Sequence, residues 1–450
     1  MNEFGYIPHT DADKKAMLEA LALESTEALF ADIPDDIRLQ QPLALKKAMS
    51  ELEVMRHLEK LADKNAHLGR LVSFLGAGAY EHYQPSVVDA IISRSEFYTS
   101  YTPYQPEMSQ GMLQATFEYQ TMIADLTGMD VANASMYDGP TAFAEAALVA
   151  CVHTRRNRIL VADSVNPEYL AVLRTYAAGQ AIEIGYLPQK DGRLDTQALQ
   201  AQLDDSVAGV MIQYPNFFGV VEDVQAIADL THQANALLVV NTYPIALGLL
   251  EAPGKLGADL VVAEGQSLGN AISYGGPYLG IMAAKQPLLR KLPGRIVGQT
   301  TDHEGRRGFV LTLQAREQHI RREKATSNIC SNQSLCALAA TVFLSYMGKQ
   351  GMRELAVQNY HKAHYLQKRL LDLPGIEAVF AAPFFNEFVI RLPRPAADVQ
   401  AALLARGILF GFDLRESHPE LGDAVLLNVT EVRTKSEMDE LVEALKEVIA

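Results

Sequence analysis

The side chains best suited to chemistry stand in one polar, aromatic segment, residues 98–107. Hydroxyl, amide and carboxylate groups alternate there with two prolines. Such groups donate and accept hydrogen bonds, and none of them is a strong nucleophile. The segment therefore indicates an enzyme-type surface that binds and orients a small polar ligand. The candidate residues are Tyr98, Thr99, Ser100, Tyr101, Thr102, Tyr104, Gln105 and Glu107.

A helix directly after this segment would hold it in place. Pro106 and Glu107 suit a first helical turn, and apolar side chains recur at helical spacing after them. Gly128 stands where the end of a helix favours a left-handed residue. The sequence therefore predicts a helix from about Pro106 to Gly128 and a positioned segment before it.

A second candidate site begins at Asp138, where the chain reads Asp-Gly-Pro-Thr before an alanine-rich stretch. Asp138 or Gly139 can cap a helix, and Pro140 suits its first position. Backbone amides at such a helix start attract anions such as phosphate. A capped helix with no ligand explains the same residues and is preferred on the residues alone. The candidate residues of this anion cradle are Asp138, Gly139 and Thr141.

The arrangement of apolar runs predicts an α/β fold. Short β-rich runs alternate with helical patterns from residue 158 onward, at 159–162, 181–187, 209–213, 237–241, 260–263 and 278–283. This alternation is typical of a mainly parallel sheet with helices on both faces.

Two further regions flank this large domain. Thr10 with Asp13 predicts one capped helix near the start, and a stripe that includes Leu45 and Leu58 predicts another. A long helical stretch ends near Leu371, and short strands and helices follow it. The predicted domains are an N-terminal helical arm (1–65), a large α/β domain (66–328) and a small C-terminal α+β domain (329–450).

Composition excludes several classes of protein. A formal net charge of −15 over 450 residues disfavours binding to nucleic acid, because it would repel phosphate backbones. The three cysteines and the histidines show no metal-ligand spacing, so no metal is expected. No export signal and no membrane-spanning stretch is recognisable, and the expected location is therefore the cytoplasm.

Several stretches, in the same order along the chain, resemble one family. They begin at Tyr6 (Tyr-Ile-Pro-His-Thr-Asp), Phe74 (Phe-Leu-Gly-Ala-Gly-Ala-Tyr), Phe97, Gly275 (Gly-Gly-Pro-Tyr-Leu-Gly) and Arg316 (the basic run that leads to Ala-Thr-Ser-Asn-Ile-Cys). Together they resemble glycine decarboxylase, the pyridoxal-phosphate P-protein of the glycine cleavage system, and more narrowly the first subunit of its two-chain form. The likeness implies a fold type I pyridoxal-phosphate enzyme architecture.

The same likeness implies that this chain has no catalytic residue of its own. Pyridoxal chemistry needs a Schiff-base lysine, which these enzymes place after a late strand, and the corresponding loop 263–277 contains none. Lys255 and Lys285 flank that region and are interpreted as solvated surface residues. Asn241 stands where these enzymes place the aspartate that holds the pyridinium nitrogen. This chain is therefore expected to bind no cofactor. The likeness also implies that the cradle at Asp138, Gly139 and Thr141 stands where these enzymes bind the cofactor phosphate and that it is vestigial here.

Partners follow from the resemblance as well. It implies a homologous second subunit that carries the lysine and pyridoxal phosphate, in a heterotetramer of two copies each. Glycine would be the substrate, and the lipoyl H-protein would accept the aminomethyl group. Residues 98–107 would line the partner's substrate entrance, and Thr326 would reach the partner's cofactor phosphate. Plain packing between subunits explains residues 98–107 equally well.

Two other functions stay open on the sequence. The chain could be a self-sufficient pyridoxal-phosphate enzyme that uses an atypical lysine. It could also be a non-catalytic scaffold or regulatory pseudoenzyme. In the leading hypothesis the isolated subunit is inactive, and activity belongs to the heteromeric complex.

Overall fold

The chain divides into two units, Met1–Ala66 and His67–Ala450. The computed structural model describes residues 6, 8–39, 41, 43–101, 103–325, 327–329 and 332–450. In the first unit, helices α1 (Asp11–Ala20) and α2 (Glu51–Ala62) flank a 3₁₀ turn (Thr26–Phe30). No described residue of this unit is buried.

The helices of the first unit begin at hydrogen-bonded caps. Thr10 accepts from the amide of Asp13, and the Asp13 carboxylate accepts from the amide of Thr10, which confirms the predicted cap. Ser50 and Glu53 form the same capping box at α2. The stripe that predicted α2 was too long, because Leu45 lies before the helix begins.

A seven-stranded sheet organises the second unit, in the order β2-β10-β9-β8-β7-β3-β4. The pairs within β9-β8-β7-β3-β4 are parallel, and β10 is antiparallel to both neighbours. The mainly parallel sheet predicted from the sequence is confirmed. The strands are β2 (Val131–Ala132), β3 (Arg158–Ala162), β4 (Glu183–Leu187), β7 (Val207–Tyr214), β8 (Leu237–Thr242), β9 (Leu260–Glu264) and β10 (Gly280–Ala284).

The inner strands are continuous apolar runs because both faces of the sheet are covered. Val239, Val240 and Val261 are fully buried, as expected for parallel strands between two layers of helices. Burying such a side chain stabilises the fold by about 1.5–3 kcal/mol. The helices of this region are α3 (Ser86–Ile92), α4 (Ser95–Tyr98), α5 (Gln110–Thr127), α6 (Gly139–Thr154), α7 (Pro167–Ala178), α8 (Thr196–Gln202), α9 (Val224–Gln233) and α10 (Gln318–Arg321).

Helix α5 begins later than the sequence predicted. Its N-cap is Ser109, and the turn before it contains Pro106 and Glu107. The predicted end is confirmed, because Gly128 adopts φ 70°, a left-handed conformation. Pro106 therefore shapes the entry to the helix and does not start it.

The long helix α11 (Ser334–Leu371) joins the main core to a second one. It contains a kink at Gly348, where φ is 57°. Its first part, up to Ala356, packs in the main core, and from Ala363 it packs against the C-terminal sheet. The two cores therefore meet within this helix, and the predicted domain bounds of 66–328 and 329–450 stay a prediction.

A small antiparallel sheet forms the C-terminal core, in the order β13-β14-β17-β16. Helices α12 (Ala396–Leu404) and α13 (Lys435–Ile449) contribute to the same hydrophobic cluster. The strands of this sheet are β13 (Glu377–Ala378), β14 (Glu387–Arg391), β16 (Phe412–Asp413) and β17 (Ala424–Asn428).

Three strand pairs lie outside these sheets. The pairs are β1 (Val72–Ser73) with β15 (Ile408–Leu409), β5 (Gln189–Lys190) with β6 (Arg193–Leu194), and β11 (Ile296–Thr301) with β12 (Arg307–Thr312). Short 3₁₀ turns connect other elements at Pro244–Gly248, Pro253–Leu256, Gln286–Lys291, Gln314–Arg316, Arg322–Lys324 and Pro419–Leu421. Among the described residues, no helix has both the length and the apolar character needed to cross a bilayer.

Candidate functional site

The parallel strands end at a small polar cavity at the carboxyl edge of the sheet. Its volume is about 30 Å³, which suits one or a few waters and not an organic cofactor. Strands β7, β8 and β9 supply residues to it, and the segment after β1 lines it as well. The lining residues are Gly78, Tyr80, Asn166, Tyr169, Gln213, Asn241, Thr242, Tyr243, Glu264, Gln266 and Ser267.

The predicted anion cradle lies beside this cavity at the start of α6. Asp138 is the N-cap, and its carboxylate accepts from the amide of Thr141 at 2.8 Å. Pro140 takes the second helical position and not the first, because the helix begins at Gly139. The amide of Gly139 points to Glu264, and donates to its Oε2 at 2.9 Å.

Glu264 ends strand β9 and gathers three backbone donors. Besides the Gly139 amide, the amides of Gln266 and Leu279 donate to its Oε1, each at 3.0 Å. Burial raises the pKa of Glu264 to about 7, and the charge of Asp138 acts in the same direction, whereas the three amides lower it. A backbone N–H donates and cannot accept a hydrogen bond from a protonated carboxyl, so the three amides favour the ionised form.

Tyr169 packs against the same turn. A Cβ at Gly139 would lie 2.1 Å from the Tyr169 hydroxyl oxygen, so only glycine fits there. Burial, with the nearby Glu264 carboxylate, raises the pKa of Tyr169 well above its ordinary value. The hydroxyl therefore stays protonated in this closely packed corner.

The residues present do not fit a pyridoxal-phosphate site. Asn241 lies on β8 as predicted, and its buried Oδ1 receives no hydrogen bond from the described residues. An amide there cannot supply the negative charge that holds a protonated pyridine nitrogen. The described lining contains no lysine. Lys255 pairs with Glu251 at 3.0 Å, and Lys285 donates to the carbonyl of Gly254 at 2.9 Å.

Two further hydrogen-bonded pairs join the segment after β1 to the C-terminal part of the chain. Tyr80 donates to Glu387 Oε2 at 2.8 Å, and His82 Nδ1 lies 2.8 Å from Glu431 Oε2. The other ring nitrogen of His82 forms a short contact with the Tyr243 hydroxyl. Burial raises the pKa of Glu387 to about 7. This network fixes the cavity wall, because each of its side chains is held by another element of the fold.

Residues 98–107 lie on the surface, and contacts of Thr99, Ser100 and Tyr104 hold the segment in place. Tyr98 ends α4, and the hydroxyls of Thr99 and Ser100 both donate to backbone carbonyls of that helix at 2.7 Å. The Tyr104 ring lies 3.9 Å from the guanidinium carbon of Arg295, a contact worth about 1 kcal/mol.

The remaining groups of this segment face outward. Tyr98 is 69% and Tyr101 79% exposed, and Gln105 and Glu107 are exposed as well. Thr102 lies outside the described residues. The segment therefore presents aromatic and polar groups at the surface, separately from the small cavity described above.

The basic run after residue 315 is anchored near the same surface. Arg295 pairs with the buried Glu317 at 3.1 Å, so Glu317 and Tyr104 share one arginine. Ser327 donates to Glu145 at 2.7 Å, and burial raises the pKa of Glu145 to about 7. Thr326 lies outside the described residues, so its role stays a prediction.

Sequence reasoning missed Glu264, Tyr169 and the His82–Glu431 pair. A signal for Glu264 was present, since it directly follows the apolar run Leu-Val-Val-Ala at the end of a predicted strand. The partners of His82 gave no such signal, because Glu431 is 349 positions away. Among the described residues, no group of His, Cys, Asp and Glu could hold a metal ion.

Distant solved structures define the class of fold. A Burkholderia pseudomallei sphingosine-1-phosphate lyase aligns at a TM-score of 0.67 and 16% identity, over 92% of this chain and 93% of that one. A Lactobacillus brevis glutamate decarboxylase aligns at 0.68 and 14%, over 92% and 95%. At such identities the likeness concerns the fold alone. The fold is that of fold type I pyridoxal-phosphate enzymes, as the sequence predicted.

Closer relatives define the family. The sequence profile of the family described as glycine cleavage system P-protein matches residues 5–445, and the chain therefore belongs to that family. A crystal structure of glycine decarboxylase (P-protein) in inhibitor-bound form aligns at a TM-score of 0.91 and 44% identity, over 99% of this chain and 100% of that one.

Two curated relatives carry a subunit designation. Proteins of Moorella thermoacetica and Geobacillus kaustophilus, each named probable glycine dehydrogenase (decarboxylating) subunit 1, are 57% and 56% identical to this chain. The alignments cover 99% of this chain and 100% of the first relative, and 98% of this chain and 98% of the second. The resemblance inferred from sequence motifs is confirmed at the level of the family.

Proposed function

We propose that this chain is the subunit of a two-subunit glycine decarboxylase that lacks the Schiff-base lysine. The complex decarboxylates glycine and transfers the remaining aminomethyl group to the lipoyl group of the H-protein. The observation that carries the proposal is a pairing of two facts: the chain matches the P-protein family over residues 5–445, yet no lysine is found among the described residues that line the cavity.

In this proposal the chain binds no pyridoxal phosphate. Asn241 stands in place of a carboxylate, Glu264 meets the amide of Gly139, and the cavity of about 30 Å³ is too small for an aromatic ring with a phosphate. A homologous second subunit supplies both the lysine and the cofactor. This chain lines part of the partner's active site and supplies no reacting group, so the isolated subunit is inactive.

The first unit supports the need for a partner. Its α2 helix exposes Leu52, Met55 and Leu58 to the extent of 58%, 52% and 54%. An amphipathic helix with its apolar side in water is stabilised when that side packs against another surface. We assign this surface to the second subunit, in a heterotetramer of two copies of each chain. Two homologous chains that pair can repeat that pair about a two-fold axis.

Residues 98–107 line the substrate entrance of the partner in this proposal. The Tyr104–Arg295 contact and the back-bonded hydroxyls of Thr99 and Ser100 fix the base of the segment. Tyr101 and Glu107 extend from that base into solvent. They offer hydroxyl and carboxylate groups to glycine or to the lipoyl arm, and water is excluded when the subunits meet.

The location proposed for the complex is the cytoplasm. The chain has 54 acidic and 39 basic side chains, and this net negative charge repels nucleic acid.

The test is a reconstitution of activity from separated subunits. Exchange of labelled bicarbonate into the glycine carboxyl group, with H-protein present, should be absent for this chain alone. It should rise with added second subunit and reach a plateau at equal molar amounts. Full exchange by the second subunit alone would refute the proposal, and so would exchange by this chain alone.

A further inference from the structure

Every backbone donor in the first turn of α6 already has a partner within the chain. The Gly139 amide donates to Glu264, and the Thr141 amide donates to the Asp138 carboxylate. The amide of Ala142 donates to the carbonyl of Asp138 at 3.0 Å, and Pro140 has no N–H. All residues from 138 to 142 are described, and they leave no amide for a ligand from outside the chain.

The Glu264 carboxylate has the chemistry of an anion that such a turn attracts. Three backbone N–H groups converge on its two oxygens, at 2.9 and 3.0 Å. The N-terminus of α6, a helix of 16 residues, adds a partial positive charge beside it. A phosphate at a helix start is held by the same kind of donors.

The space around the carboxylate admits no larger group. A Cβ at Gly139 would lie 2.1 Å from the Tyr169 hydroxyl oxygen and 2.9 Å from the Cβ of Glu264. The neighbouring cavity holds about 30 Å³. The missing lysine prevents a Schiff base but would not by itself prevent a phosphate from binding. The occupied turn at the start of α6 is therefore a feature independent of the missing lysine.

We propose that Glu264 is a built-in anion that takes the place of a cofactor phosphate on the Gly139 amide. It closes this site to inorganic phosphate and to phosphate-bearing cofactors. The inference rests on the proposed function only in one respect, that this chain carries no cofactor. It does not depend on the pairing with a second subunit.

The test uses the purified chain at about pH 8, where Glu264, with a pKa of about 7, is mostly ionised. Inorganic phosphate is the probe. Glu264→Ala removes the carboxylate and leaves the Gly139 amide without its acceptor. We expect this variant to bind phosphate at least about tenfold more tightly than the wild type, measured by titration calorimetry with chloride at matched ionic strength as the reference. Its thermal midpoint should rise with phosphate, since ligands of the native state stabilise it.

Glu251→Ala is the matched control. It also removes one negative charge, but Glu251 is paired with Lys255 on the surface. We expect this variant to bind phosphate no better than the wild type. Equal phosphate affinity of the wild type and Glu264→Ala would overturn the proposal, and so would an equal gain in both variants.

A second measurement needs no variant. Hydrogen exchange of the Gly139, Gln266 and Leu279 amides in the wild type should be slow and unchanged by phosphate, because the carboxylate already occupies them. Rapid exchange, or protection that appears only with phosphate, would contradict the proposal. Neither readout involves glycine turnover, so a failed reconstitution and an open cradle are distinguishable results.

Discussion

The cavity at the carboxyl edge of the sheet and the surface of the first unit differ in their contacts. The first has polar side chains that hydrogen-bond within the chain, and the second has apolar side chains exposed to solvent. At the cavity, Glu264, Glu387 and Tyr80 all have hydrogen-bond partners within the chain. In the first unit, Met55 and Leu58 of α2 are more than half exposed. In the proposed function the first region holds no cofactor, and the second packs against the other subunit. This contrast agrees with the proposal that the second subunit binds the cofactor and that this chain packs against it.

The largest effect is expected from charges placed on the open surface. Met55→Asp combined with Leu58→Asp should weaken assembly with the second subunit by about a hundredfold or more, because the interface would bury unpaired carboxylates. Stability of the isolated chain should stay within about 0.5 kcal/mol, since both residues are exposed. Analytical ultracentrifugation and thermal unfolding measure the two quantities.

Lys60→Asp on the polar side of the same helix is the control for that experiment. It also introduces an acidic residue into α2, yet it should leave assembly nearly unchanged. If all these variants assemble like the wild type, the apolar side of α2 does not contact the second subunit.

A smaller effect is expected from an added methyl group at the closed site. Gly139→Ala should destabilise the chain by about 2 kcal/mol, because its Cβ would lie 2.1 Å from the Tyr169 hydroxyl oxygen. Gly111→Ala is the matched control, since nothing lies within 4 Å of a Cβ there and alanine favours the helix α5. Urea unfolding compares the two. Equal stability of both variants would mean that the turn at Gly139 has room to adjust.

The pH dependence of stability should come from buried carboxyl groups. Burial raises the pKa of Glu145, Glu264 and Glu387 to about 7 in the folded state. Carboxyls with raised pKa values hold protons that the unfolded chain releases, so their stabilising effect is full at acid pH and is lost as pH rises toward and through 7.

Between pH 6.5 and 8 we therefore expect the free energy of unfolding to fall by about 2 kcal/mol. Glu387→Gln should reduce this slope, because a neutral amide no longer releases a proton. Met55→Asp should leave it unchanged, since residue 55 is exposed. Urea unfolding across this pH range, for the wild type and the two variants, checks these expectations. A free energy of unfolding that rises with pH would contradict the role of the buried carboxyls.

The smallest effect is expected at the aromatic segment. Tyr101→Phe and Glu107→Gln each change one polar function with little change in volume. If residues 98–107 line the partner's entrance, each should lower turnover of the assembled enzyme by a factor of about 3 to 10 with assembly intact. Weaker assembly with unchanged turnover per complex would instead assign this segment to subunit packing.

The sequence predicted the parts of the fold that depend on local patterns. Buried parallel strands such as β8 and β9 are continuous apolar runs, and the caps at Thr10 and Asp138 depend on residues a few positions apart. The start of α5 was wrong by about one turn, because Pro106 suits a turn before a helix as well as the helix itself.

The candidate site was only partly predictable, because its contacts join distant parts of the chain. The missing lysine and Asn241 were read directly from the sequence. The role of Glu264 needed the fold, since its partner Gly139 lies 125 positions away. A carboxylate at the end of a strand is otherwise interpreted as solvated, so its occupation of a helix start was not foreseen.

The central claim is that the cofactor belongs to the second subunit and not to this chain. The most direct measurement is borohydride reduction of the assembled, cofactor-loaded complex, followed by peptide mapping of the labelled lysine. We expect the label only in the second subunit, with none on Lys255, Lys285 or any other lysine of this chain. Stoichiometric label on a lysine of this chain would contradict the account.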